Sequence, residues 1–295
     1  MMFAKIARMR SDTLLQKYLP SIISDLGYFP KIGKHYLYAK GKIPILLVAH
    51  VDTVFAKPPQ KIFFDRKYRV FFSPDGLGAD DRAGVFGIIK IISRGLRPHI
   101  LFTNLEESGA IGAHNFVNRE KPEFNAIFAL DRRGENEAAV YNCDSEELNE
   151  ILNEYGFKIV TGSFSDISVI CPKFGIAGAN LSAGFYENHT RYEYFDENAL
   201  AKTIEKLSAI LENPPEKPIL YVPKPIPVFR RKSWENLEKC ALCGEEAELY
   251  ELDGEKICAI CFYYLEKRWP EKCEKVDYKR KNANPDYYFE EWWES

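Results

Sequence analysis

Two imidazoles and five carboxylates, His50, Asp52, Asp80, Glu106, Glu107, Asp131 and His189, fall in the first two-thirds of a 295-residue chain. They are nitrogen and oxygen donors without a Cys among them, a set that suits zinc and also admits cobalt or manganese. Two divalent cations about 3.5 to 4 Å apart need a shared carboxylate to offset their repulsion, and together they clamp the attacking and departing oxygens of an acyl transfer. A water held there is acidified toward neutral pH, and a neighbouring carboxylate can pass its proton to the leaving group. The residue types therefore predict a two-metal hydrolytic centre.

Such donors need elements that bring them together. Ile43-Pro-Ile-Leu-Leu-Val-Ala49 is a continuous apolar run of strand length, with His50-Val-Asp52 at its carboxyl end, as expected of a strand buried on both faces. His99–Thr103 reads as a strand that delivers Glu106 and Glu107, and Ala126–Leu130 as one that delivers Asp131. Ligands of open α/β sheets bind beyond the carboxyl ends of the strands, so these groups should share one crevice. The expected fold class is α/β, a doubly wound mixed sheet with helices on both faces.

Each residue also has an ordinary reading. Asp80 and Asp81 open a helix whose apolar period runs through Val85, Ile88, Ile89 and Ile92; one of them can cap that helix while the other faces metal. The Glu pair could load the start of the helix 110–117 with favourable negative charge, and His189 could be a hydrogen-bonded loop residue. Their joint order at strand ends favours the metal reading.

The series His50-x-Asp52-Thr-Val, Gly78-Ala-Asp80-Asp81-Arg82-Ala-Gly84, Glu106-Glu107-Ser-Gly-Ala-Ile-Gly112, Asp131, Ser165-Asp166 and His189-Thr190 resembles the co-catalytic di-zinc exopeptidases, within which it is most similar to aminopeptidases and tripeptidases. The resemblance spans about residues 40 to 210. It implies that Asp80 bridges two metals, with His50 and Asp131 completing one site and Glu107 and His189 the other. Glu106 would be the general base, and Asp52 would orient the His50 imidazole. The intervals 61–72 and 145–181 hold a short hairpin and about one α/β unit, too little for the inserted domain many relatives carry, which needs at least ~50 residues.

Other residues of this region stay open. Ser165-Asp166 either borders the substrate cleft or forms a turn and helix cap. Arg132 and Arg133 could bind a substrate carboxylate or be a solvated or neutralising pair. Asp81 and Glu193 read as supporting groups, and His35, His99 and His114 as ordinary packed or surface residues.

A proline-rich stretch with Pro214, Pro215, Pro218, Pro223, Pro225 and Pro227 follows the helix 197–211 and reads as a semi-rigid linker. Beyond it, Cys240-Ala-Leu-Cys243 and Cys258-Ala-Ile-Cys261 have the spacing of a structural zinc site. A hairpin around Leu252–Glu255 and a helical run 262–269 give this part the look of a treble-clef or zinc-ribbon finger. The expected division is a catalytic domain 1–213, a linker 214–233, and a finger with an aromatic, charged tail over 234–295. That tail, with Trp269, Tyr278, Tyr287, Tyr288, Phe289, Trp292 and Trp293, could pack back, dock a partner or close a homo-oligomer.

A formal net charge of −3 supplies no overall field for nucleic acid or anionic membrane. No segment approaches the ~20 apolar residues of a membrane span, and no signal-peptide pattern opens the chain, so a reducing cytoplasm is expected. The sequence thus predicts a cytoplasmic metallo-aminopeptidase for short peptides, with two catalytic divalent metals and one structural zinc. Two other readings remain: an amidohydrolase or deacylase of acyl-amino acids using the same metals, and a partner- or nucleic-acid-binding protein with a vestigial peptidase domain.

Overall fold

The computed structural model describes residues 1–120, 124–224, 238–242, 244, 246–247, 249–252 and 254–258. The chain forms two compact units, Met1–Pro225 and Ile226–Ser295.

The first unit opens with helical segments that no motif announces: α1 (Met2–Ala7), α2 (Ser11–Thr13), a π-helical turn (Leu14–Tyr18) and α3 (Leu19–Asp25). Next come β1 (Lys31–Gly33), β2 (Tyr36–Ala39) and β3 (Ile43–His50), then the hairpin of β4 (Phe63–Asp65) and β5 (Val70–Phe72). Helix α4 (Ala79–Ser93) leads to β6 (Pro98–Thr103), and α5 (Ile111–Val117) to β7 (Ala126–Arg132) and β8 (Glu137–Val140). The interval after β8 holds α6 (Glu146–Glu154), β9 (Lys158–Thr161), α7 (Asp166–Phe174) and β10 (Gly178–Ser182). Strands β11 (Phe185–Tyr186) and β12 (Tyr194–Asp196) precede α8 (Glu197–Glu212).

Eight strands make one mixed sheet in the order β1-β2-β6-β3-β7-β10-β8-β9. Its centre is parallel, β6 and β7 flanking β3 and β10 flanking β7. The period of two then splits each central strand between two cores. In β3, Ile45, Leu47 and Ala49 face the core that holds α1, α4 and α8, whereas Leu46 and Val48 face the one built with α5 and α7. The mixed α/β architecture with helices on both faces is therefore the one the apolar runs predict.

A smaller sheet, β11-β12-β5-β4, stands apart. Phe64, Phe71, Phe195 and Phe185 are cross-strand partners or neighbours on its inner face, where Phe71, Phe185 and Phe195 are buried against Phe3 of α1 or one another. It carries the His189 loop between β11 and β12.

The stretch read as a linker from residue 214 instead lies along the first unit as far as residue 224. Fully buried Ile219 donates its N–H to the Asn125 carbonyl and accepts from Ala177, and Asp144 donates to the Val222 carbonyl. An extended chain with alternating apolar residues satisfies its backbone against these exposed edges. Residues 225–233 of that stretch lie outside the described residues.

In the second unit β13 (Glu238–Lys239) pairs with β14 (Glu246–Ala247), and β15 (Leu249–Leu252) with β16 (Glu255–Cys258). The latter hairpin turns where the sequence suggests. Cys240 and Cys258 are buried, and the Cys258 N–H donates to Cys240 Sγ at 3.3 Å. Cys243, Cys261, the helical run 262–269 and the aromatic tail fall outside the described residues.

Gly84 fixes how closely α4 meets the sheet. A Cβ there would collide with the Leu130 carbonyl and the Asp81 carboxylate. Gly84→Ala should lower unfolding stability by about 1–3 kcal/mol through overpacking, measured by urea denaturation; a parental midpoint would show that the helix can move away freely.

Candidate metal centre

Strands β3, β6 and β7 run parallel and adjacent, so their carboxyl ends set His50, the Glu106–Glu107 turn and Asp131 side by side. Leu105, just before that turn, and His189 hold positive φ of 65° and 63°, left-handed conformations that cost about 1–3 kcal/mol and gather at functional sites. Neither glutamate enters the first turn of α5, which contains no acidic residue; the helix-loading alternative does not hold.

The distances define two groups joined through Asp80. His50 Nε2 lies 3.3 Å from Asp80 Oδ1 and 3.3 Å from Asp131 Oδ1. His189 Nε2 lies 3.2 Å from Asp80 Oδ2 and 3.2 Å from Glu107 Oε1. Two donors each 2.0–2.2 Å from a tetrahedral zinc stand about 3.3 Å apart, so these separations fit a metal held between each pair. Three groups of donor atoms, His50/Glu106/Glu107, His50/Asp81/Asp131 and Asp80/Glu107/His189, lie within 4.8 Å among the described residues. The donor set fits two divalent ions with Asp80 shared.

The supporting groups are as specific as the donors. Asp52 Oδ1 stands 3.4 Å from His50 Nδ1, and its two oxygens accept the Glu106 and Glu107 N–H groups at 3.2 Å. Asp81, fully buried, accepts from the His50 and Gly84 N–H groups at 3.1 and 3.0 Å. The two adjacent aspartates thus divide their work: Asp81 caps α4 and Asp80 faces the centre. Glu193, also buried, accepts from the Ala79 and Asp80 N–H groups, both at 3.0 Å.

Of the undecided residues, Asp166 is buried at the first turn of α7, where it accepts from the Thr103 hydroxyl; Ser165 forms a capping box with Ser168. Ser165 is the cap of α7 and Asp166 lies within its first turn, while the preceding Ser163 and Phe164 line the cleft. Arg132 lines the cleft but donates through Nε and Nη2 to Glu137, at 3.1 and 2.8 Å. His99 is packed against Tyr38 and Phe124.

Two asparagines escaped the sequence reading. Asn180 on β10 accepts the Asp131 N–H at 2.8 Å and donates to Asp131 Oδ2 at 3.2 Å, where Ser165 Oγ also donates. Asn188 donates to Asp80 Oδ2 at 2.9 Å. A polar residue inside the apolar run Gly178–Ser182 is the signal that could have marked Asn180.

The cleft has a volume of about 440 Å³, and its lining includes Asp80, Glu106, Glu107, Asp131, Tyr141, Phe164, Phe185 and His189. Crowded, buried carboxylates set its electrostatics. Burial, reinforced by Asp131, Asp166 and Glu107, raises Glu106 to about 8. Burial also raises Asp166 and Glu193 to about 7. The hydrogen bond that His189 donates to Asp80, with Glu107 nearby, raises His189 to about 9. Burial opposes charge on His50, yet Asp131, Asp52 and Asp80 hold its pKa well above the ordinary value. Asp80, despite burial, is held low by His189 and His50.

Residues 35–167 match the model of peptidase family M28. No curated protein matches the chain by sequence. Among solved structures, the aminopeptidase PepT of Bacillus cereus is 17% identical with a TM-score of 0.61, over 72% of this chain and 96% of that one. A tripeptidase of Staphylococcus aureus is 16% identical with a TM-score of 0.57, over 72% and 96%. The TET1 peptidase of Pyrococcus horikoshii, described as assembling into a tetrahedron or an octahedral shell, is 15% identical with a TM-score of 0.52, over 70% and 97%. These structures share the fold. The family match covers the stretch that carries His50, Asp80, Glu106, Glu107 and Asp131, all of them among the groups that could hold a metal or line the cleft.

Two outcomes are expected. Asn180→Ala should weaken metal affinity about 10–100-fold by freeing the Asp131 carboxylate, read by chelator competition; parental affinity would leave Asn180 with a packing role only. In the metal-free chain, Glu106, Asp166, Glu193, His50 and His189 all bind protons more tightly folded than unfolded. Their stabilisation is complete below the unfolded pKa values and is lost as pH rises through the folded ones. The metal-free chain should therefore lose stability between pH 5 and about 9, and saturating zinc should flatten that slope. Denaturation midpoints of the metal-free chain that rise across this range would contradict the account.

Proposed function

We propose that the chain is a di-metal aminopeptidase acting on short peptides. The observation that carries this reading is Glu106. Its carboxyl lines the cleft beside the donors, yet stands 3.9 Å from His50 Nε2, farther than Asp80 or Asp131. A carboxyl set in the cleft beside the donor pairs but outside them can take up and release a proton during the reaction.

His50, Asp80 and Asp131 would hold one metal, and Asp80, Glu107 and His189 the other. Bound divalent ions, zinc foremost with cobalt or manganese as substitutes, supply Lewis acidity toward a scissile carbonyl and an attacking water. Glu106 takes the proton of that water and delivers it to the leaving amine. Asp52 keeps the His50 ring in orientation, and Asn180 with Ser165 does the same for the Asp131 carboxylate. Tyr141, Phe164 and Phe185 give the cleft aromatic walls for peptide side chains.

For the second unit we propose a structural zinc held by Cys240, Cys243, Cys258 and Cys261. An N–H to sulfur bond already ties Cys258 to Cys240, on a hairpin of the expected register. Buried, free Cys143 and Cys171 suit the reducing cytoplasm proposed for the protein.

Glu106→Gln should keep its metal content by elemental analysis and its thermal midpoint, and lose about two to four orders of magnitude in turnover of free-amino-terminus peptides. Chelation should abolish parental turnover and added zinc restore it, with amino-blocked peptides inert throughout. Near-parental hydrolysis by the variant would remove Glu106 from the role, and cleavage of the blocked peptides alone would favour a deacylase.

A further inference from the structure

The cleft wall opposite in charge to the metal donors holds two arginines, and their situations differ. Arg132 is engaged: Nε and Nη2 donate to Glu137, whose other oxygen lies 3.5 Å from Lys158 Nζ. Arg133 also lines the cleft, is exposed, and makes no ion pair or side-chain hydrogen bond among the described residues.

Its backbone is nonetheless fixed. Ala183 donates to the Arg132 carbonyl at 2.7 Å, Ser182 Oγ to the Arg133 carbonyl at 3.3 Å, and Gly134 to the Phe185 carbonyl at 2.8 Å. A free guanidinium on an anchored segment is preorganised for an anion, because little backbone order is lost on binding. The planar fork matches a carboxylate through two parallel hydrogen bonds. Elsewhere in the lining, among the described residues, the one other cationic side chain besides Arg132 is His189, which is engaged with Asp80 and Glu107.

Position then sets the length of what binds. Arg133 follows the proposed donor Asp131 by two residues, so their Cα atoms are at most about 7 Å apart. A carboxylate held at Arg133 is consequently close to the reacting carbonyl, within the span of a very short peptide.

We infer that Arg133 reads a carboxylate on the leaving side of the substrate, so that the cleft selects short peptides by a negative charge near the scissile bond. The charge can come from the free α-carboxylate or from an acidic side chain. This inference rests on the peptidase reading of the same site, and its test does not require turnover.

Metal-loaded Glu106→Gln chain, with and without Arg133→Gln, is titrated calorimetrically with Ala-Ala-Ala as the free acid, its carboxyl-terminal amide, and amidated Ala-Asp-Ala. The free acid should bind about ten- to hundredfold more tightly than its amide, as expected of a charge-assisted pair. Arg133→Gln should erase the difference by weakening the acid alone, and Arg133→Lys should restore part of it. In steady state with Glu106 present, the loss should fall on KM for the free acid, with kcat near parental. Tight binding of amidated Ala-Asp-Ala assigns the charge to a side chain; tight binding of the free acid only assigns it to the terminus. Equal binding of all three peptides, no binding of any, or an acid preference that survives Arg133→Gln overturns the inference. Selective binding of the free acid without hydrolysis by the parental chain would retain Arg133 and remove the peptidase reading.

Discussion

Carboxylates that repel one another are packed around His50, and much of the surrounding structure can be understood as holding them there. Asp80, Asp131, Glu106 and Glu107 converge on one cleft, while Asp52, Asp81 and Glu193 satisfy themselves on backbone N–H groups. These last three do more than avoid the repulsion. Asp52 ties the loop after β3 to the loop after β6, Asp81 ties the start of α4 to the end of β3, and Glu193 ties the segment beyond His189 to the approach to α4. Each donor loop is thereby fastened to another by hydrogen bonds from backbone N–H groups to a buried carboxyl.

The same constraint gives the amino-terminal helices a role. Arg82, buried behind the Asp80–Asp81 pair, donates to the Ile6 carbonyl at 2.9 Å and to Ser11 Oγ at 3.4 Å. Burial lowers its pKa to about 10, while Asp52 and Asp81 counter that shift. Its positive charge partly offsets the carboxylates from behind, and its hydrogen bonds pin α1 and α2 across the back of the loop. Phe3 of α1 packs on Phe71 and Phe195, so the same helix joins the small sheet to α4.

How much of this the sequence could disclose varies with the physics of each part. Central strands announce themselves because burial on both faces demands unbroken apolar runs, and the donors follow at their ends. Asp80 and Asp81 could be separated into facing and capping roles in principle, though only geometry says which does which. The small sheet is another matter: its short β11 and β12 carry too few residues to show a period, and their pairing with β5 is long-range. Asn180, Asn188 and Ser165 act through long-range side-chain hydrogen bonds to the aspartates that no spacing rule encodes. Residues 214–224 look like a linker because proline content reports local stiffness and says nothing of whether a neighbouring edge is free to be paired.

The donors do not share one foundation. His50 and Asp131 stand at the ends of adjacent central strands, among the most deeply packed elements of the molecule, whereas His189 sits on a loop of the small sheet and its side chain is 48% exposed. Opening of that loop would release one ion while leaving the other caged. Of the two donor groups, the one that includes His189 is thus the more open to solvent, and the one that includes His50 the more deeply packed.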